Sequence, residues 1–474
     1  QGYAGFSTDA LPFHFLANSP HKKSRIPTQY AGFRELARLT GVVRRYGRVW
    51  QATPPKDNIF EAFRSFLLTS GRLFGRPLRT TVLAILDLHT NRAAVKLCLM
   101  LSAILNSRLL DGMFRFQVLS GTFRIWSDGA INPLADEIPE LRALNECEPE
   151  DRAARARILN DPEWIASFRH MWLNGKKGLS LARLRRVLRQ EETVLTRRLA
   201  DMMVSECPLD NWCDHTLDAP YQRLLCWQES GGQLGAATSA EAQFFETFPN
   251  PICDDAAFTV HLLRQWDTDL RWETTIANRN PAVLEKLLFH PLTLPGFNDS
   301  GAHLANIGFY DGNLRFLKIA QKQGLQKVAQ AVHRLTGLPA EFFNLNTGVV
   351  KVGAQADLCL IDPTALRQWN PERTYEFVYR SQLGCRQVIN RPKGVVREVM
   401  IAGRTAWRDE EYVPDFGQTQ FGRVLKPQDH PDEQMRDAAA RATAEQNPDM
   451  NPPDNAARAR VRATYQNVVM LLPQ

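Results

Sequence analysis

Apolar and polar positions along this chain follow two rhythms. Between residues 47 and 119, the short strand-like run Val49 to Ala52 gives way to helical spacing over 58–70, then to the β-branched run Thr80 to Leu86. A second round follows, helical over Ala93 to Arg108 and strand-like over Phe114 to Leu119. Apolar strands alternating with helices are the pattern of a buried parallel sheet, so the chain reads as α/β, either a (β/α)8 barrel or an open doubly wound sheet.

From about 148 to 269 helical spacing dominates, with Leu181, Leu184, Val187 and Leu188 on one stripe. The basic run Arg183 to Arg189 within it is read as the solvated face of an amphipathic helix, a nucleic-acid or partner contact being the alternative. The α/β rhythm returns with a strand near Thr274, a helix over Pro281 to Leu288 and a strand over Leu292 to Phe297. After Asn344, alternation punctuated by glycine predicts a small β-sheet domain. Beyond Pro427 the composition is that of an extended tail. The expected organisation is barrel units over 1–147, a mainly helical insertion over 148–269, the last barrel units over 270–343, a β-sandwich over 344–426 and the tail over 427–474.

Composition narrows the class. The 474 residues, 44% hydrophobic and 23% charged, are those of a globular protein large enough for a sizeable core. The net charge of +7 comes from 58 basic and 51 acidic residues that are interspersed, which argues against nucleic acid as the partner. Eight scattered cysteines with no Cys-x-x-Cys pair point to reduced thiols in the cytoplasm. The apolar stretches are too short or too polar to span a bilayer, so no membrane segment is expected.

The strand ending in Asn298 and Asp299, followed by Ser300, Gly301 and His303, places a carboxylate where α/β barrels hold their active sites. The small residues would let a ligand approach the backbone. An Asp before Ser is equally a helix N-cap, and local sequence leaves both roles open. His89, at the end of the strand-like run Thr81 to Leu88, is either a ligand or an ordinary polar loop residue. Cys213, Asp214 and His215 have nucleophile or metal-site chemistry but are adjacent and cannot face one another; Gly231, Gly232 and Gly235 lack the flanks of a phosphate loop. Ser127-Asp128-Gly129 reads as a turn, a second acid at the pocket edge being the alternative.

Residues 298–303, Asn-Asp-Ser-Gly-Ala-His, resemble the Asp-x-Gly-Ala-His segment of the amidohydrolase superfamily, in the D-aminoacylase-like branch of N-acyl-D-amino-acid deacylases. Gly348 to Asp362 is similar to the Gly-x-Ile-x-x-Gly-x-x-Ala-Asp-Leu-x-x-x-Asp pattern with which that branch enters its β-sandwich. Val399 to Gly403, Phe421 to Leu425, and Gly5 to Thr8 with Pro12 and His14 resemble further segments, so the likeness spans residues 1 to about 425.

The resemblance implies a (β/α)8 barrel hydrolysing an amide or cyclic amide C–N bond with a divalent metal, taken as zinc. Asp299 would be metal ligand, general base, or both. Ser7, His14, Gln51, His89, Asn132, Ser300, Gly301 and His303 would line the small-molecule pocket. The sequence departs from the branch in having no His-x-His, and in placing Ala10, Gln51 and Asn132 where Arg, Glu and His are usual. The opening Gln-Gly-Tyr has neither an initiator Met nor a signal-peptide pattern. The expectation is therefore a partial barrel completed by a separate or processed N-terminal polypeptide that brings the remaining metal ligands, in a homo- or hetero-oligomer. The alternative is a non-catalytic subunit that keeps the fold. Within Gly348 to Asp362 two strands are expected, with Ala356, Leu358 and Leu360 on one face and Asp357, Cys359 and Ile361 on the other.

Overall fold

The computed structural model describes residues 3–11, 14–16, 24–54, 59–176, 178–188, 190–191, 193–301 and 303–428. Pro12, Asn58, Arg189, Ala302 and the tail from residue 429 lie outside them. In chain order the strands are β1 (Gly5–Thr8), β2 (Val49–Ala52), β3 (Arg79–Val82), β4 (Met113–Leu119), β5 (Phe123–Asp128), β6 (Met202–Glu206), β7 (Arg271–Ala277), β8 (Thr293–Phe297), β9 (Leu358–Ile361), β10 (Glu376–Arg380), β11 (Cys385–Ile389), β12 (Val396–Ile401), β13 (Arg404–Arg408) and β14 (Glu411–Tyr412).

A five-stranded parallel sheet in the order β1-β2-β3-β4-β8 positions the candidate site. Register aligns Trp50, Thr80 and Phe114 in one row and Ala52, Val82 and Phe116 in the next. This face packs into a core with Phe66, Leu105, Leu284, Leu288 and Phe316 from the helices. Phe66, Phe114 and Phe116 meet edge-on at centroid distances of 5.1 Å, the geometry aromatic quadrupoles favour. The opposite face carries Val49 and Leu294 against Phe342 of the helix Gly337–Phe343.

The α/β class and the parallel sheet are as the sequence predicts, but two features differ. The run Thr80 to Leu86 is a strand only to Val82, after which Leu83 N–H donates to Ala52 O and Ile85 N–H to Gln117 O as the chain leaves the ladder. The sheet is also open: β8 pairs with β4, and among the described residues no strand joins β8 to β1. The intervening chain is used elsewhere, in the antiparallel sheet β5-β7-β6.

Helices Arg152–Leu159, Pro162–Leu173, Asp218–Glu229, Ser239–Phe245 and Asp255–Trp266 accompany that second sheet. Their core includes Trp164, Phe168, Trp212, Phe258 and Trp266, and it also takes in Leu141, Leu144 and Trp272. Glu241, fully buried, accepts hydrogen bonds from Trp212 Nε1 (2.7 Å), Arg223 Nε (2.9 Å) and the Ala237 N–H (2.6 Å). A buried carboxylate satisfied this fully is an anchor rather than a liability.

In the helix Leu181–Val187 the solvated basic face holds at Arg183 and Arg185, which are exposed, but not at Arg186. Leu181, Leu184 and Val187 are 65%, 55% and 71% exposed, whereas Arg186 turns inward toward Glu191 and Arg197. Ion pairing has decided the orientation that hydrophobic spacing alone would have set the other way.

The C-terminal strands form a four-stranded antiparallel sheet, β14-β13-β12-β9, and the hairpin β10-β11. Gly348 to Asp362 contributes one strand, not two, and the expected split of faces is absent: Leu358 and Leu360 are 40% and 60% exposed and Cys359 is exposed too. The preceding stretch turns at Gly348 and Gly353, both with φ of 81°. Asp357 is used to accept the Ala402 N–H, and β9 pairs on one side only, with β12, so burial does not impose a period of two. Among the described residues no helix is long and apolar enough to cross a membrane.

Candidate functional site

Asp299 lies two residues beyond β8, at the C-terminal edge of the parallel sheet, with a φ of 54°. Aspartate enters this left-handed region more readily than bulky residues. Asn298 Oδ1 accepts the Ser300 N–H at 3.1 Å and tightens the turn. Buried Ser300 donates its hydroxyl to Asn298 O (3.1 Å), accepts the Phe309 N–H (2.7 Å), and receives the Tyr310 hydroxyl at its carbonyl (2.9 Å). Ser300 therefore closes the loop, and its hydroxyl is not offered to a pocket. A Cβ at Gly301 would meet nothing within 4 Å, so space does not demand glycine there. No helix starts at Asp299; the next one is Gly312–Gln321, which removes the N-cap role. The carboxylate stays 43% exposed, its Oδ2 3.9 Å from His303 Nε2.

The loop after β1 supplies the second half of the site. Asp9 Oδ1 accepts from the Leu11 N–H (2.8 Å) and the Thr53 hydroxyl (2.7 Å), while Oδ2 bonds His14 Nδ1. Thr28 fastens the Asp9 backbone in both directions, donating to its carbonyl and accepting its N–H at 2.9 Å each. Burial lowers the proton affinity of His14, but the hydrogen bond to Asp9 and the charges of Asp9, Asp299 and Asp136 outweigh it and raise the imidazole above its usual value. Asp9 moves the opposite way: burial raises it, and the bonds from His14, Leu11 and Thr53 leave it below the carboxylate range.

His303 differs from His14. Burial pushes its pKa down, and the Asp299 charge offsets this only in part, with His14 adding to the depression and Asp136 opposing it. Asp136, in the turn Ala135–Glu137, is raised by burial although Asn145 Nδ2 donates to it at 2.9 Å. Arg142 from the following helix lies 4.8 Å from the centroid of Phe15, next to His14, and so ties this turn to the loop. The structure thus groups Asp9, His14, Asp136, Asp299 and His303. Asp9 and Asp136 escape sequence reading because neither stands in a spaced motif. The one available signal is that Asp9 follows β1 as Asp299 follows β8.

The other expected pocket residues are dispersed. Ser7 and Gln51 are register partners near the ends of β1 and β2, in one row with Thr81, whose buried hydroxyl lacks a hydrogen-bond partner among the described residues. His89 lies elsewhere, its Nε2 3.7 Å from Asp201 Oδ2. Asn132 is buried in the helical core, where its Oδ1 accepts the Leu134 N–H at 2.9 Å. Its role there is a turn cap. Among the described residues no group of three or more His, Cys, Asp or Glu side chains could hold one metal ion. Asp9 and His14 bond each other through Nδ1, and the described residues do not fit a complete metal site.

No family model matches the chain. It is 30% identical over 422 residues to proteins of Mycobacterium bovis and Mycobacterium tuberculosis described only as uncharacterized. The match covers 88% of this chain and 62% of theirs, so the chain spans less than two thirds of the relatives it matches. Among solved structures it is similar to D-aminoacylase, whose binuclear metal centre has been studied, at 14% identity, and to N-acyl-D-glutamate deacylase from Bordetella bronchiseptica, complexed with zinc and a phosphonate inhibitor, at 15%. Each similarity covers 90% of this chain and 63% of the other, with a TM-score of 0.41.

Proposed function

We propose that this chain is the larger part of an amide hydrolase of the D-aminoacylase type, cutting the C–N bond of an N-acyl amino acid or a cyclic amide. One observation carries the reading: an accessible carboxylate, Asp299, at the end of a parallel strand with two imidazoles of opposite character beside it. Asp299 takes a proton from the attacking water and passes it to the leaving amine. His303, kept neutral by burial, orients that carboxylate. His14, its proton affinity raised by Asp9, donates to the carbonyl oxygen as negative charge builds there.

In this reading the five parallel strands are an arc of a (β/α)8 barrel, and the C-terminal strands belong to the small β-sandwich of such enzymes. The divalent metal, zinc in the first instance, would take its remaining ligands from a separate or processed N-terminal polypeptide in this reading, the described residues not completing its site; no step is assigned to it. The assembly would work in a reducing cytoplasm as a homo- or hetero-oligomer. Asp299→Asn in the assembled protein, assayed on a panel of N-acyl-D-amino acids, should lower turnover by several orders of magnitude with an unchanged unfolding midpoint. Undiminished turnover rejects the assignment.

A second reading, a non-catalytic subunit that keeps the fold, is favoured by Asn132 being spent as a turn cap and by the incomplete metal set. Metal analysis of the assembly separates the two: about one ion per complete barrel for the enzyme, none for the scaffold.

A further inference from the structure

A cavity of about 650 Å³ lies between described residues of 175–200 and Tyr221 and shares no residue with the Asp299 cluster. Its cationic wall is Lys176, Arg183, Arg186, Arg197 and Arg198. Opposing these among the lining residues are the carboxylates Glu191, Asp218 and Asp255. Three of the cations are largely withdrawn from solvent, Lys176 and Arg186 at 15% exposure and Arg197 at 12%.

Among the described residues, two carboxylates serve these three. Lys176 is paired with Asp255, and Glu191 accepts from Arg197 Nη2 at 3.4 Å. Arg186 Nη1 stands 3.8 Å from Glu191, beyond hydrogen-bond length. Arg186 Nη1 and Arg197 Nε are both buried donors with no hydrogen-bond partner among the described residues. Burial, with smaller contributions from the charges of Arg186 and Arg197, brings the Lys176 ammonium down to about 8 despite Asp255. The helix Leu181–Val187 exposes three large apolar side chains while turning Arg186 into this crowd. Glu191, shared with Arg197, meets that inward charge only in part and leaves Arg186 Nη1 without a hydrogen bond among the described residues.

We infer that the cavity binds the oxyanion group, phosphate or carboxylate, of a small molecule, seated between the Arg186 and Arg197 guanidiniums and the Lys176 ammonium. Guanidinium forks match planar or tetrahedral oxyanions with paired N–H donors, and the volume leaves room for the rest of a small ligand beside Val187, Leu199 and Tyr221. The inference does not depend on amide hydrolysis at Asp299.

Calorimetric titration of the full chain at low ionic strength, with inorganic phosphate and separately with glutarate, tests it. Saturable binding of either is expected, weakened about tenfold or more by Arg186→Gln and by Arg197→Gln, and unaltered by Arg185→Gln, which lies on the same helix but outside the cavity wall. Preference for phosphate or for glutarate identifies the ligand class. If the variants fail to fold, acylation of Lys176 in the unaltered protein near its pKa of about 8 replaces them. Phosphate or glutarate should slow labelling of Lys176 but not of exposed Lys351. Absence of saturable binding, binding indifferent to both substitutions, or unprotected Lys176 would overturn the proposal.

Discussion

Asp9 and His14 form a carboxylate–imidazole pair in which the acid is fixed from three sides, by Thr53, Leu11 and Thr28, before it bonds His14 Nδ1. A carboxylate held this way sets both the orientation of the ring and the direction of its titration.

That pair has a pH signature. The raised His14 contributes stability that is complete below the ordinary histidine value and lost as pH rises through its folded pKa; the lowered Asp9 contributes stability present above the ordinary aspartate value and lost as pH falls. The stability difference between the parent and Asp9→Asn should therefore be greatest between about pH 4 and pH 6.5 and shrink on either side. Chemical denaturation across pH measures it. A difference that does not vary with pH is the contrary result.

Asp299 and His303 are coupled in the same way with less force. Burial already holds His303 down, and the Asp299 charge is the largest influence raising it. Asp299→Asn should therefore lower the His303 pKa further, which NMR titration of the imidazole protons would register. If His303 titrates unchanged, the 3.9 Å separation overstates their contact.

Glu241 is buried beneath Trp212 and Arg223. Glu241→Leu strands the Arg223 guanidinium and the indole N–H, and the expected loss is roughly 3–5 kcal/mol in urea unfolding. A loss under about 1 kcal/mol would mean that water replaces the carboxylate without penalty.

The glycines at 231 and 235 separate backbone strain from collision. Both have positive φ, 63° and 106°, but a Cβ at Gly231 meets open space, while one at Gly235 would lie 2.4 Å from Arg223 O. Gly231→Ala should cost about 1 kcal/mol and Gly235→Ala clearly more, about 2 kcal/mol or above, by the same measurement. Equal costs would show that the turn relaxes away from the contact.

Local pattern determined much of this protein. β2, β4, β7 and β8 and the helices Ala94–Leu105 and Pro281–Phe289 fall close to where hydrophobic spacing puts them, because period and β-branching act over a few residues. The placement of Asp299 just past a strand end was legible for the same reason. Other features required the tertiary structure. That β8 lies beside β4, and that Asp9, His14 and Asp136 gather near Asp299, depends on ladder bonds and loop ties between residues far apart in the chain. No spacing rule reports such pairings. The inward turn of Arg186 was likewise decided by Glu191, against the like charge of Arg197, because when charges compete with apolar burial the outcome depends on which partners stand opposite, and only the folded chain supplies them.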